Sequence, residues 1–229
     1  MVGAFALGAL TQLSLVLSGL IVFLIIVPRR TVGALAGFGA GALIAAVSRD
    51  LLPEAHTLPL IQGAMWAMLG AGAIMAGEHY VEKRFGSDGP SAALGIVTGA
   101  VVDGVPEAII FGIQLASGEA VSVAFIAAVF VSNIPQAIAP SADLATAGWK
   151  ARRISVLWGW VVLACGVAAV VGFLAENAVS RVDGARMAAF AAGGILAMLS
   201  NSLIPFAHER DHSAGFWTVV GFCSAFAIG

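Results

Sequence analysis

The sequence predicts an all-α integral membrane protein with eight transmembrane helices, and three observations support this fold class. Hydrophobic residues make up 60% of the 229 residues and charged residues 10%, with a mean hydropathy of +0.99. Soluble domains are only about half apolar. The apolar residues fall into stretches long enough to cross a bilayer, which takes about 20 residues. The 28 glycines are typical of membrane helices that pack closely.

The eight predicted helices come from counting apolar stretches between short polar breaks. They cover roughly 3–27, 31–52, 58–78, 91–116, 120–146, 154–175, 185–206 and 214–229. The first stretch lacks the basic start and cleavage site of a signal peptide, so we interpret it as a retained spanning helix. Since no segment between the helices could form a soluble domain, we expect one transmembrane domain over 1–229.

The basic residues predict the orientation, because cytoplasmic loops are enriched in Lys and Arg. Three fall on one side of the predicted topology, at Arg49, Arg181 and Arg186. The side with the other eight basic residues is assigned to the cytoplasm. Because the predicted helices place both termini on the side with three, both termini are expected outside, with the chain in the plasma (inner) membrane. The eight basic residues on the cytoplasmic side are Arg29, Arg30, Lys83, Arg84, Lys150, Arg152, Arg153 and Arg210.

An internal repeat relates the second and seventh predicted helices. Residues 35–55 and 187–207 align without gaps at an offset of 152, and nine of 21 positions are identical. The matches include Phe38 with Phe190 and Pro53 with Pro205. The two helices run in opposite directions in the predicted topology, so the repeat is inverted. Transporters are commonly built this way, and the plan predicted here is three helices, a central pair and three inverted helices.

The central pair carries polar motifs built around proline, at 102–108 and 131–137. Asp103 and Glu107 are four residues apart, which places them on one helix face. Two like carboxylates in a low-dielectric region repel each other, and a divalent cation resolves that conflict. Pro106 has no amide hydrogen, so it is expected to kink the helix and free a backbone carbonyl.

The motif on the fifth predicted helix adds neutral oxygen ligands. Asn133 and Gln136 share a face, Ser132 is adjacent, and Pro135 is expected to kink the helix. Two carboxylates with amide and hydroxyl oxygens suit a divalent cation. By chemistry alone the cation stays open among zinc, manganese, iron, cobalt, magnesium and calcium. The alternative interpretation is that both acids are structural and hydrogen-bonded to the two amides.

Further polar residues mark candidate ends of a cation path. An entrance set is predicted at the outer end of the second helix, and an exit set lies near the inner ends of the fifth and seventh helices. An ordinary solvated loop explains either set about as well. His79 and Tyr80 favour an interfacial anchor over a ligand set. The entrance residues are Asp50, Glu54 and His56, and the exit residues are Asp143, His208 and His212.

Several function classes are excluded by the sequence. A net charge of −2 without a long basic cluster gives no support for nucleic-acid binding. No nucleophile, base and orienting residue form a recognisable set, so we expect no enzyme. The sequence contains no phosphate-binding glycine loop, so it gives no support for ATP-driven pumping. Cys165 and Cys223 lie in apolar runs and are interpreted as small buried hydrophobes.

The chain resembles the ZIP family of divalent metal transporters along nearly its whole length. The resemblance rests on the eight helices, on the run GFGAGALIAAVSRDLLPEA at 37–55 and on the two central proline motifs. It implies a 3+2+3 fold and zinc as the transported substrate, with no permanently bound cofactor. The family's His-Asn-x-Pro-Glu-Gly and His-x-x-Pro-Glu-Gly motifs are altered here: Asp103 and Ser132 replace the histidines, and Gln136 replaces the second glutamate.

Two hypotheses follow for the function. The first is a carrier that moves a divalent cation to the cytoplasm through Asp103 and Glu107, with selectivity broadened toward harder ions by the loss of the histidines. The second is a ZIP-fold protein with a degenerate site, which moves another substrate or has a structural or regulatory role. The partners expected are the divalent cation and the lipid bilayer. Small-residue faces pack within or between chains, so a homodimer stays open.

Overall fold

The protein is all-helical in a computed structural model that describes residues 1–85, 92–118, 121–178 and 181–228, and these residues contain no strand. We number the helices α1 to α8 in chain order. Two of them contain a π-helical turn and are given in three parts. The helices are α1 Val2–Ile21, α2 Arg29–Ala46 with Val47–Leu51 and Leu52–Ala55, α3 Leu60–Phe85, α4 Ala92–Ser117, α5 Val123–Thr146, α6 Ala151–Ala178, α7 Arg181–Met198 with Leu199–Leu203 and Ile204–Arg210, and α8 Ala214–Ile228.

Seven of the described helices, α1 to α7, contain segments long and apolar enough to cross a membrane, and the chain is an integral membrane protein. The eighth, α8, is apolar but has only 15 residues. At a rise of 1.5 Å per residue it extends about 22 Å, which is shorter than a hydrocarbon core of about 30 Å. Among the described residues the structure therefore confirms seven helices long enough to span, and the eighth spanning helix stays a prediction.

Helix ends differ from the predicted ones where local chemistry decides them. α1 ends at Ile21, six residues before the predicted end, and extended backbone is reached at Pro28 (φ −60°, ψ 140°). The residue before a proline is disfavoured in helical geometry, which keeps Val27 out of α2 and does not explain the earlier end of α1. α5 begins at Val123 because the hydroxyl of Ser122 accepts a hydrogen bond from the backbone N–H of Phe125 at 3.2 Å.

The internal repeat is visible in the backbone of α2 and α7. Their π-helical turns, Val47–Leu51 and Leu199–Leu203, are offset by 152 residues. In both helices a proline follows the turn, Pro53 in α2 and Pro205 in α7. A proline has no N–H to continue the helical ladder, and the wider turn before it accommodates the break.

The π-helical turns therefore lie beside Pro53 and Pro205, and the kinks predicted at Pro106 and Pro135 stay predictions. α4 stays helical through Pro106, and α5 stays helical through Pro135 and Pro140.

α2 and α7 run antiparallel to each other. A Cβ built on Gly33, near the start of α2, would lie 2.8 Å from Cβ of Asp211, just after the end of α7. A Cβ built on Gly184, near the start of α7, would lie 3.3 Å from Oε1 of Glu54, at the end of α2. The two repeat-related helices thus pass each other in opposite directions.

Each of these helices packs on a neighbour through a glycine at the same repeat position. Gly41 of α2 lies against the backbone carbonyl of Thr218 in α8, and Gly193 of α7 lies against that of Ala67 in α3. A side chain at either glycine would overlap the carbonyl oxygen, so only glycine permits the approach. The pairs α2 with α8 and α3 with α7 are equivalent under the repeat.

α4 is positioned by contacts with α1, α3, α6 and α7. Its residues Ile110 and Phe111 belong to the main apolar core, where the Phe111 ring lies 4.8 Å from the Phe125 ring of α5. Both described termini lie at one end of the bundle. Gly3 of α1 lies beside Leu115 near the end of α4, and Arg49 in the last turns of α2 donates to the carbonyl of Phe226 at 3.3 Å.

Candidate functional site

The two carboxylates of the first proline motif lie in the interior of the bundle. Glu107 is 1% exposed, and Asp103, one helical turn before it, is partly buried and lines a cavity. Their charges are close enough to interact. Among the described residues neither carboxylate forms an ion pair. The predicted pairing of the two acids on one face of α4 is thus present in the structure.

Glu107 is hydrogen-bonded to Gln12 of α1, a residue that the sequence analysis missed. Gln12 Nε2 donates to Glu107 Oε2 at 3.4 Å, and Gln12 Oε1 accepts from Asn133 Nδ2 at 2.8 Å. Glu107 Oε1 is buried without a hydrogen-bond partner. The site therefore joins α1, α4 and α5 and keeps one carboxylate oxygen free.

A signal for α1 was present in the sequence. Four polar residues interrupt its apolar run, and all four are buried. Three of them have the 3- and 4-residue spacing of one helix face. The four are Thr11, Gln12, Ser14 and Ser18.

Gln136 lines a cavity with Asp103 instead of bonding to Glu107. The cavity has a volume of about 220 Å³, and its walls carry one carboxylate, one amide and one hydroxyl, those of Asp103, Gln136 and Ser202. Trp158, Met198 and other apolar side chains form the remainder. The space is several times the ~30 Å³ that a water molecule occupies in the liquid, so it can hold a cation with part of its hydration shell.

A third carboxylate, Glu78 of α3, lies near Asp103 and was also missed. Ser202 donates to Glu78 Oε1 at 2.6 Å, and Asn201 donates to Glu78 Oε2. Both donors belong to the π-helical turn of α7. The equivalent residues of α2 are Arg49 and Asp50. The alignment at an offset of 152 therefore indicated that polar residues also stand at this turn of α7.

Ser132 makes a local contact. Its hydroxyl donates to the carbonyl of Val129 at 2.9 Å, and a Cβ built on Gly39 of α2 would lie 2.6 Å from its Cα. Ser132 thus lies where α5 packs on α2. Whether it contributes an oxygen ligand stays a prediction.

The predicted entrance residues lie at the end of α2. Asp50 is half-buried in the π-helical turn, with Ser122 of α5 beside it. Glu54 is half-buried, and a Cβ built on Gly184 would lie within 3.3 Å of carboxylate oxygens of both Glu54 and Glu176. His56 is exposed. Two carboxyl groups, from α2 and α6, therefore meet at the start of α7.

The predicted exit residues lie at the opposite end of α2 and are exposed, as are His79 and Tyr80 near the end of α3. Asp143 is close enough to Arg210 for their charges to interact. Arg29 donates to the carbonyl of Glu209 at 3.0 Å, which ties the start of α2 to the end of α7. The other two exit residues, His208 and His212, flank this contact.

The described part of the chain contains no group of three or more His, Cys, Asp or Glu side chains arranged to hold a metal ion. Asp103 is instead close enough to Glu107 and to Glu78 for their charges to interact. The neutral amides of Gln12 and Gln136 lie beside these acids. Such a set supplies hard oxygen ligands, without the sulfur and nitrogen that structural zinc sites use.

Comparisons with models of known protein families and with curated protein sequences found no match to this chain.

Proposed function

We propose that this chain is a ZIP-like transporter that carries divalent metal cations across the plasma membrane toward the cytoplasm. Its path runs through the site on α4 and α5 that contains Asp103 and Glu107. The helices form a 3+2+3 arrangement in which α1 to α3 and α6 to α8 are inverted repeats and both termini are outside. The offset of 152 between the π-helical turns supports this plan.

The observation that carries the proposal is a buried pair of carboxylates without a cationic partner. Glu107 is 1% exposed, one of its oxygens has no hydrogen-bond donor, and neither it nor Asp103 forms an ion pair among the described residues. Burying uncompensated charge costs several kcal/mol per ion. A mobile dication offsets two negative charges at once, which gives the pair a function in transport.

The ligand set favours a hard or borderline cation. The side chains available are the carboxylates of Asp103 and Glu107, the amides of Asn133 and Gln136, and the hydroxyl of Ser132. Zinc is the substrate implied by the resemblance, and manganese and cobalt are equally compatible with oxygen ligands. The sequence contains no phosphate-binding glycine loop, which favours transport driven by the ion gradient or the membrane potential.

A second candidate function is a ZIP-fold protein whose site no longer carries metal. The bond from Gln12 to Glu107 favours it, because a carboxylate held by an amide fits a structural role. In the first candidate function Glu107 Oε1, which has no hydrogen-bond partner, binds the transported cation. In the second it binds no cation.

Uptake of zinc, manganese and cobalt is measured in liposomes that contain the purified protein and an internal metal-sensitive dye. Glu107→Gln keeps the shape of the side chain and its bond to Gln12 but removes the charge. Losing one partner of a buried charge pair costs about 2–5 kcal/mol. Affinity should therefore fall by roughly 30-fold or more.

Glu209→Gln is the matched control, because it is the same substitution at a glutamate whose side chain is 70% exposed. It should transport as the unmodified protein does. Uptake that survives Glu107→Gln contradicts the proposed path, and the absence of any uptake or binding by the unmodified protein favours the second candidate.

A further inference from the structure

Gln12 connects α1 to the central carboxylate and fixes its orientation. The side chain is 1% exposed, with its amide between Asn133 and Glu107. Gly104 of α4 leaves room for this approach, since a Cβ there would lie 3.3 Å from Gln12 Nε2. Because Gly104 has no side chain, the amide of Gln12 in α1 can approach α4 closely enough to bond to Glu107.

The carboxylate sets the polarity of the whole chain of hydrogen bonds. An ionised Glu107 can only accept, so Gln12 must present its N–H to it. The carbonyl of Gln12 then faces Asn133, which must present its own N–H. Reversing either amide would place two acceptors against each other. The result is that Glu107 Oε2 is occupied while Glu107 Oε1 has no partner.

We propose that Gln12 is a positioning residue that restricts Glu107 to binding a cation through one oxygen and thereby selects small divalent cations over calcium. This inference rests on the proposed transport function and names the selectivity of the same site. Gln12 acts through Glu107, because its own carbonyl is engaged by Asn133.

The selectivity follows from coordination chemistry. Calcium takes six to eight oxygen ligands and commonly binds a carboxylate through both oxygens. Zinc takes about four ligands at shorter distances. The hydrogen bond from Gln12 takes one lone pair of Glu107 Oε2 and weakens that oxygen as a second ligand, which disfavours calcium bound through both oxygens more than zinc bound through Oε1 alone. Because Glu107 is the most deeply buried acid of the site, the weakened ligand is not replaced by bulk water.

The test is a comparison of calcium and zinc affinities of purified protein, measured by calorimetric titration with each metal alone. Gln12→Met keeps the length and flexibility of the side chain but removes both hydrogen bonds. A hydrogen bond to a charged group is worth about one factor of ten in affinity. We expect the ratio of calcium to zinc affinity to rise about tenfold in this variant.

Ser14→Ala is the matched control. Ser14 is fully buried on the same helix, and its hydroxyl donates only to the carbonyl of Thr11 at 3.0 Å. The affinity ratio should not change in this variant. Should Gln12→Met fail to fold, Gln12→Leu also removes the N–H donor and adds no ligand or charge, so the same shift toward calcium is expected.

The outcomes separate this inference from the proposed function. A ratio that shifts toward calcium in the Gln12 variants alone supports the inference. Equal weakening of both metals indicates a merely structural Gln12 and overturns it, as does an unchanged ratio. If the unmodified protein binds neither metal, the proposed function fails and the inference fails with it.

Discussion

The substitution Gly41→Ala tests the repeat-related packing of the helices most directly. A Cβ at this position would overlap the carbonyl oxygen of Thr218 and would lie 2.7 Å from the carbonyl carbon. Both are backbone atoms, so no side-chain rotation relieves the overlap and α2 must move away from α8. Overpacking of this kind costs about 1–3 kcal/mol. Alanine gains about 0.5–1 kcal/mol over glycine in a helix, so the net loss is about 1 kcal/mol at the middle of both ranges and at most about 2.5 kcal/mol.

Gly193→Ala should have an effect of similar size, because Gly193 lies against the carbonyl of Ala67 in the equivalent way. The two contacts lie in different helix pairs, so the losses in the double variant should add. Gly72→Ala in α3 is the control, since apart from the adjoining backbone of α3 no described atom lies within 4 Å of a Cβ there.

The assay is thermal unfolding of the purified protein in detergent, with denaturant titration for the free energy. Gly72→Ala should be neutral or slightly stabilising, and both tight glycines should be destabilising. If Gly41→Ala unfolds at the same temperature as Gly72→Ala, the close contact of α2 with α8 is wrong. If only one of the two tight glycines is sensitive, the packing equivalence of the repeats fails.

Two further predictions concern contacts outside the carboxylate pair. Trp158→Phe removes the indole N–H that donates to Ser141 Oγ at 2.8 Å and leaves a void at a side chain that is 1% exposed, so the free energy of unfolding should fall by more than the ~1 kcal/mol of the hydrogen bond. Adding Ser141→Ala should cost little more, and a fully additive double variant contradicts the bond. Hydrogen bonds from the hydroxyl and backbone N–H of Ser213 lower the pKa of the Asp211 carboxyl from its ordinary value of 3.8. A lowered folded pKa stabilises the protein above the ordinary value, and this contribution is lost as pH falls through the folded pKa. The stability advantage of the unmodified protein over Asp211→Asn, followed by thermal unfolding against pH, should therefore shrink below about pH 3.8, and a difference that is constant with pH contradicts it.

The sequence predicted the central acids because charge is costly in an apolar helix. Asp103 and Glu107 stand out from their surroundings, and their four-residue spacing places them on one face without knowledge of any neighbour. Gln12 and Glu78 did not stand out in the same way. A single amide in α1 and an acid near the end of α3 acquire a role only through the residues they meet. Those residues are 95 positions away in one case and more than 120 in the other.

The repeat illustrates the same division. Nine identities over 21 positions predicted that the second and seventh helices are related, and the offset of 152 between their π-helical turns agrees. Kinks at Pro106 and Pro135 stay a prediction, because a helix that continues through a proline can be straight or kinked. The π-helical turns lie beside the prolines of the repeat, where the wider turn of α7 holds Asn201 and Ser202 against Glu78.

The sequence by itself determined the class of protein, the approximate positions of its helices and the acidic pair. All three depend on composition and on spacing along one chain segment. Apolar composition decides which segments enter the membrane, and the helical period decides which residues of a segment share a face. The tertiary structure alone decided which oxygen of Glu107 is occupied, that Gln136 faces a cavity, and that α1 completes the site. Those outcomes depend on which helix lies beside which, and close contacts of glycine backbones such as Gly41 and Gly193 set that arrangement.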